Sequence, residues 1–316
     1  MMNKKPLIII TGPTAVGKSN LAVMLAKKID GEIISADSMQ VYKGMDIGTA
    51  KVTSAEMGGI KHHLIDVLEP DEPFNVVSFC QMAKECMAAI YSENKIPIIA
   101  GGTGFYIQAL LYDIDFSIGD EDEAYREKLY KILDEEGSQK LHDMLSSVDP
   151  ESAQAIHKNN VKRVIRALEF YSTTGKKISS HNQEEALRES PYNFAYFVLD
   201  DEREKIYEKI DKRVDLMINL GLEAEVRHLL EAGYDSKCQS MLGIGYKEFL
   251  DYFNGDYSLD EAIRLIKRES RHYAKKQITW FKREREVMRL YKPDFHYSED
   301  EILKRITDEL SKRGIV

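Results

Sequence analysis

Four consecutive apolar residues, Leu7-Ile8-Ile9-Ile10, stand between Pro6 and Thr11-Gly12 and read as a strand buried on both faces. Glu32-Ile33-Ile34-Ser35-Ala36 and Ile96-Pro97-Ile98-Ile99-Ala100 have the same character. Each runs into small or polar residues, Asp37-Ser38-Met39-Gln40 and Gly101-Gly102-Thr103-Gly104, where the loop between a strand and its helix belongs. Between these runs the apolar spacing lengthens to that of a helix. Leu21, Ala22, Leu25, Ala26 and Ile29 share one face, and Val76 to Tyr91 repeats the pattern. The alternation predicts an α/β fold, a doubly wound parallel sheet flanked by helices.

The strand pattern resumes only at Phe194-Ala195-Tyr196-Phe197-Val198-Leu199, after a charge-rich stretch of helical spacing. That stretch predicts an inserted all-helical domain over residues 116–190, dividing a core made of 1–115 and 191–316. Beyond Asp200, Ile206, Ile210, Val214 and Met217 share a helical face, with Gly221 as its expected C-cap. From Leu259 to Phe281 the apolar positions predict one long amphipathic helix, with Gln277 a polar interruption. No strand is expected to end in the Asp or Asp-Glu of a Walker B motif. The tail beyond Lys292 carries no readable pattern.

Apolar residues are 43% of the chain and charged residues 31%, an ordinary globular balance, and 316 residues suffice for a main domain with an addition. After Met1-Met2-Asn3-Lys4-Lys5 the apolar run is too short for a signal peptide, and no later stretch is long enough to span a bilayer. Cys80, Cys86 and Cys238 lack zinc spacing and suggest a reducing compartment, so a cytoplasmic protein without membrane attachment is expected.

The net charge of −9 argues mildly against nucleic acid as a partner, but it hides local patches. Ten Lys and Arg lie between Arg264 and Arg289, opposed by three acids and interleaved with Tyr273, Trp280 and Phe281. Lys158, Lys162, Arg163 and Arg166 form a second cluster inside the expected insertion. Either is a solvated helix face or a surface for phosphates. Arg163 with Arg166, and Arg268 with Arg271 and Lys275, have the spacing of one helical face.

The chemistry begins at the first strand. Gly12-Pro13-Thr14-Ala15-Val16-Gly17-Lys18-Ser19 fits G-x-x-x-x-G-K-[ST] and opens a helix, so the core is expected to be P-loop NTPase-like. Backbone N–H groups would converge on phosphate oxygens, Lys18 would add a point charge, and Ser19 would ligate Mg²⁺. Asp37 ends its strand beside the same crevice and is either a general base or a helix N-cap. The amide of Gln40 has the geometry to read the N6/N7 edge of an adenine. His62-His63 suggests a metal only weakly, because neighbours in a strand point to opposite faces; a structural role is expected.

The assembled segments resemble the tRNA dimethylallyltransferase family, also called tRNA isopentenyltransferase, over nearly the whole chain. They are the phosphate loop, Asp37-Ser38-Met39-Gln40-Val41-Tyr42, Asp46-Ile47-Gly48-Thr49-Ala50-Lys51, His63-Leu64-Ile65-Asp66 and Gly101-Gly102-Thr103-Gly104-Phe105-Tyr106. Arg163-Val164-Ile165-Arg166-Ala167-Leu168-Glu169, Gly243-Ile244-Gly245-Tyr246-Lys247-Glu248 and Ala274-Lys275-Lys276-Gln277-Ile278-Thr279-Trp280-Phe281 complete the set. One departure is His157-Lys158-Asn159-Asn160, where the family usually reads His-Pro-Asn-Asp. Losing the proline is expected to loosen that loop.

The resemblance implies transfer of a dimethylallyl group from dimethylallyl diphosphate to N6 of the adenosine just 3′ of the anticodon. It implies catalytic roles for Asp37, Thr103, Lys18 and Arg213. It implies donor contacts from Gly12, Pro13, Thr14, Ala15, Val16, Gly17, Lys18 and Ser19, with Mg²⁺ on Ser19. Contacts to the tRNA anticodon loop are implied for Asp37, Ser38, Met39, Gln40, Thr103, Arg126, Lys162, Arg163, Val164, Ile165 and Arg166, with Arg268, Arg271 and Lys275 from the long helix. The insertion would bind tRNA, the core would bind the donor, and the chain would act as a monomer. Without the resemblance, a nucleoside or small-metabolite kinase and a non-catalytic nucleotide-dependent RNA-binding protein remain open.

Overall fold

The computed structural model describes residues 4–116 and 123–316; Met1-Met2-Asn3 and residues 117–122, the first of the expected insertion after Phe116, lie outside the described residues. Six strands form one all-parallel sheet: β1 (Pro6–Thr11), β2 (Gly31–Ala36), β3 (His62–His63), β4 (Ile96–Gly101), β5 (Asn193–Asp200) and β6 (Val287–Tyr291), in the order β3-β2-β4-β1-β5-β6. The helices up to β5 are α1 (Lys18–Ile29), α2 (Ser54–Met57), α3 (Val76–Ser92), α4 (Gly104–Leu111), α5 (Glu123–Val148), α6 (Pro150–Ala155), α7 (Val161–Thr174) and α8 (Ile178–Ala186). After β5 come α9 (Arg203–Asn219), α10 (Leu222–Glu231), α11 (Tyr246–Phe253), α12 (Leu259–Arg283) and α13 (Glu299–Lys312).

Backbone contacts divide the chain into two units, residues 1–110 with 191–316, and residues 111–190. In the first, β1 sits between β4 and β5, which is why Leu7 to Ile10 are apolar without alternation and no more than 1% exposed. One sheet face packs Ile8, Ile10, Ile33, Ile98 and Phe197 against Leu21 and Leu25 of α1 and Ile302, Ile306 and Leu310 of α13. On α9, Ile206 and Ile210 meet Ala274 of α12. The second unit has its own core, in which Leu129, Leu141 and Leu145 of α5 meet Val164, Ile165 and Leu168 of α7. Buried Asp149 caps α6 through the Ser152 N–H and also takes the N–H and hydroxyl of Ser179, tying α8 to it.

Some expectations need correction. β5 ends in Asp200 and is followed by Asp201, so an apolar strand with a terminal carboxylate exists after all. Asp201, however, is tied to Lys209 at 2.6 Å and to the Glu202 N–H. The long helix expected from Leu259 to Phe281 is present as α12 (Leu259–Arg283), and Arg289 of the basic run lies in β6, donating to the Phe281 carbonyl at 2.8 Å. Gly221, with φ of 98°, follows the end of α9 and is the N-cap of α10. In the turn before α7 the Asn160 N–H donates to His157 O at 2.8 Å and Lys158 reaches Gln139 at 3.0 Å. Among the described residues no helix is long and apolar enough to cross a membrane.

Candidate active site

Loops at the carboxyl ends of β1, β2 and β4 supply the candidate residues, as expected of a parallel sheet. The phosphate loop turns sharply after β1. At Gly12 a Cβ would stand 2.2 Å from Leu199 O, so this glycine lets the loop start against β5. Gly17 has φ of 99° and is the N-cap of α1, with no side chain capping that end and no acid in the first turn. Lys27 and Lys28 occupy the last turn. An uncapped N-terminus of a helix so arranged presents free N–H groups and its positive end to an anion.

Lys18 folds back on the loop, its Nζ donating to Pro13 O at 2.8 Å. Desolvation in the crevice and the nearby Arg213 guanidinium push the Lys18 ammonium down to about 7, against the pull of the Asp37 carboxylate. Arg213, half-buried on α9, makes no ion pair among the described residues, so it is not the surface salt bridge that a charged helix suggests. Desolvation also lowers its pKa, with Glu56 opposing. Two like charges held together, with only Asp37 and Glu56 opposing them, favour an anion between them. The Ser19 hydroxyl is exposed on the first turn of α1 and makes no hydrogen bond among the described residues.

No helix starts at Asp37, so the helix N-cap reading fails, and the carboxylate caps a turn instead. Its Oδ1 accepts the N–H groups of Met39 (2.9 Å) and Gln40 (3.4 Å), fixing the turn after β2. Its Oδ2 has no hydrogen-bond donor among the described residues. Burial raises its pKa, while the two N–H bonds and Lys18 hold the shift back. Thr103 donates its N–H to Ala36 O at 3.1 Å, which ties the β4 loop to the end of β2. Its hydroxyl is buried in the same crevice, within reach of the Tyr273 phenol. Tyr273 of α12 is near Asp37, whose charge adds to desolvation in raising the phenol's pKa.

Gln277 has a role its sequence position concealed. Only 6% exposed on α12, it takes the Thr14 N–H of the phosphate loop on Oε1 at 2.8 Å. Its Nε2 donates to Gly102 O at 3.1 Å. Gly102 and Gly104 make room for this helix: a Cβ at either would lie 2.3 Å from Gln277 Nε2 or from the Trp280 ring. The polar interruption at Gln277 in an apolar stripe was the only available signal.

Gln40 is placed differently from its expected role as an edge reader. Its Nε2 donates to the carbonyls of Thr49 and Ala50, both at 3.3 Å, and its Oε1 faces the Ser35 hydroxyl. The Asp46–Lys51 segment is gripped from elsewhere by Glu225, which accepts the N–H groups of Asp46, Ile47 and Gly48 and the Tyr246 hydroxyl at 2.7–3.1 Å. Ser38 is half-buried, and Met39 packs where a Cβ on Gly243 would stand.

Of the basic residues, Lys162 and Arg163 are exposed on α7 and Arg166 is half-buried, with no ion pair among the described residues. Val164 and Ile165 are core residues, 0% and 2% exposed, and their side chains are not available to RNA. Arg126 forms a bidentate pair with buried Glu169 at 2.6 and 3.1 Å. On α12, Arg268 pairs with Glu269 at 2.8 Å and Arg271 with Asp211 of α9 at 2.5 Å. Lys275 and Lys276 are exposed and unpaired among the described residues. His63 binds Glu32 at 2.7 Å and His62 binds Ile60 O at 2.9 Å, which is the expected structural role.

Comparison with known proteins gives two family matches, IPP transferase over residues 40–284 and isopentenyl transferase over residues 5–69. A tRNA dimethylallyltransferase of Lachnoclostridium phytofermentans is 55% identical over 312 residues, 99% of each chain. The crystal structure of a tRNA isopentenylpyrophosphate transferase from Bacillus halodurans is 43% identical, with a TM-score of 0.74 and 98% of both chains covered. A eukaryotic dimethylallyltransferase caught acting on tRNA is 31% identical, with a TM-score of 0.78 over 91% of this chain and 74% of that one.

Proposed function

The chain belongs to the IPP transferase family, and from that premise we propose that it transfers the dimethylallyl group of dimethylallyl diphosphate to N6 of the adenosine immediately 3′ of the anticodon in tRNA. The observation that carries this reading is the meeting of an uncapped helix N-terminus and two unpaired cations, Lys18 and Arg213, with a carboxylate whose Oδ2 no protein donor takes. The first half suits a diphosphate, and the second suits a proton acceptor. Neither half needs a Walker B carboxylate, and Asp201 is already committed to Lys209.

In this mechanism the loop N–H groups, Lys18 and Arg213 hold the diphosphate and receive the negative charge that grows on it. The exocyclic amine is a poor nucleophile because its lone pair is delocalised into the ring. As N6 bonds to C1 of the prenyl group, the C1–O bond breaks and its electron pair leaves with pyrophosphate. The N6 proton passes to Asp37, whose raised pKa makes it a better acceptor than a free carboxylate. The buried Thr103 hydroxyl would orient the adenine or Asp37. The adenine must leave the anticodon-loop stack to reach the crevice. The α7 face and Lys275–Lys276 would hold RNA phosphates.

The residues present fit a Mg²⁺ bound chiefly through phosphate oxygens and water. The Ser19 hydroxyl is free at the helix start, and no cluster of three His, Cys, Asp or Glu among the described residues competes for the ion. Bound there, the ion would neutralise charge on the leaving diphosphate. A chain acting as a monomer in the cytoplasm completes the proposal. Its test is to treat unmodified tRNA with labelled dimethylallyl diphosphate, digest it to nucleosides and map the label. Label on the adenosine 3′ of the anticodon is expected; label on another nucleoside would refute the proposed target.

A further inference from the structure

Lys292 begins the 3-10 turn Lys292–Phe295 that follows β6. It is 9% exposed, an unusual setting for a lysine. Its Nζ stands at the phosphate loop: a Cβ added to Gly17 would lie 3.0 Å away. Among the described residues this ammonium has neither a hydrogen-bond acceptor nor an ion-pair partner. The carboxylates whose charge it feels, Glu299 and Asp201, are engaged elsewhere, Glu299 by the Asn20 amide and Asp201 by Lys209. Desolvation, then the like charge of Lys209, lowers its pKa.

A buried charge without a partner is costly, and a fold that keeps one has a counter-charge to offer it at some stage of its work. Among the described residues, the unfilled anion position beside Lys292 is the uncapped N-terminus of α1, a helix of 12 residues whose N-cap is Gly17. We propose that Lys292 is a second lysine of the diphosphate site, its ammonium donating to an oxygen of the phosphate held by the loop. The inference rests on the reading of that loop as a diphosphate site. Lys18 reaches the anion from within the loop, and Lys292 reaches it from a turn near the far end of the chain.

The test titrates inorganic pyrophosphate by calorimetry into the parent, Lys292→Met and Lys292→Arg, and records the melting temperature of each without ligand. Losing one charge-assisted hydrogen bond should weaken pyrophosphate binding in Lys292→Met by roughly tenfold or more. Lys292→Arg should recover most of that affinity. Lys292→Met should melt no lower than the parent, because it removes an unpaired buried charge. Parent-like pyrophosphate affinity in Lys292→Met overturns the inference and leaves the loop assignment standing. A Met variant that melts well below the parent, with an Arg variant that binds no better than Met, also overturns it by making Lys292 structural. Failure of the parent to bind pyrophosphate overturns the loop assignment together with this inference.

Discussion

At the scale of single residues, the proposed chemistry rests on Asp37. Asp37→Asn keeps the shape and the turn-fixing oxygen but removes the base, so turnover should fall roughly 10²–10⁴-fold with tRNA affinity little changed. Near-parent turnover would reduce Asp37 to a turn cap. The pH dependence has a definite sign. A base works only when ionised, and burial raises Asp37 above its ordinary 3.8. Single-turnover rates should therefore decline with falling pH through a midpoint above 3.8, and a midpoint at or below that value would contradict a desolvated base. Gln277 acts at one remove. Gln277→Leu strands the Thr14 N–H and the Gly102 carbonyl, so pyrophosphate affinity should drop by about tenfold while tRNA affinity holds. Unchanged pyrophosphate affinity would show that the loop keeps its shape without this amide.

Elements were legible in the sequence where burial is complete. β1, β2, β4 and β5 announce themselves as apolar runs because each is covered by helices or flanked by strands. β6 did not, since in Val287-Met288-Arg289-Leu290-Tyr291 only Leu290 is buried, which leaves no apolar run. Lys18, Ser19 and Asp37 were legible because their spacing to a strand end is local. Gln277 and Lys292 were not, because their contacts with Thr14 and Gly17 join residues more than 260 positions apart, and no periodicity reports such a meeting. The glycines after β4 show the same limit. They read only as a strand-to-helix loop, whereas Gly102 and Gly104 are small so that α12 can approach. Gly104→Ala should accordingly cost about 1–3 kcal/mol through the Trp280 clash, measured by denaturant unfolding. An unchanged midpoint would mean that α12 shifts freely.

For the whole molecule, a net charge of −9 coexists with local cationic faces, and ion pairing decides which cations are available. Arg271 is held by Asp211 and Arg268 by Glu269, whereas Lys275, Lys276, Lys162 and Arg163 are exposed without such partners among the described residues. In plots of log affinity for tRNA against log salt, Lys275→Ala/Lys276→Ala and Arg163→Ala/Arg166→Ala should each flatten the slope by about one unit per lost phosphate contact. Arg271→Ala should change it less. Lines parallel to the parent for both doubles would place the RNA elsewhere. The central claim is that a phosphate loop here holds a leaving diphosphate and not a phosphoryl donor. Its most direct test offers the protein unmodified tRNA and Mg²⁺ with either γ-labelled ATP or prenyl-labelled dimethylallyl diphosphate, and follows both RNA label and free pyrophosphate. The account predicts label in RNA only from the prenyl donor, with one pyrophosphate released per prenyl group transferred. Label entering RNA from ATP, or none entering from dimethylallyl diphosphate, would contradict it.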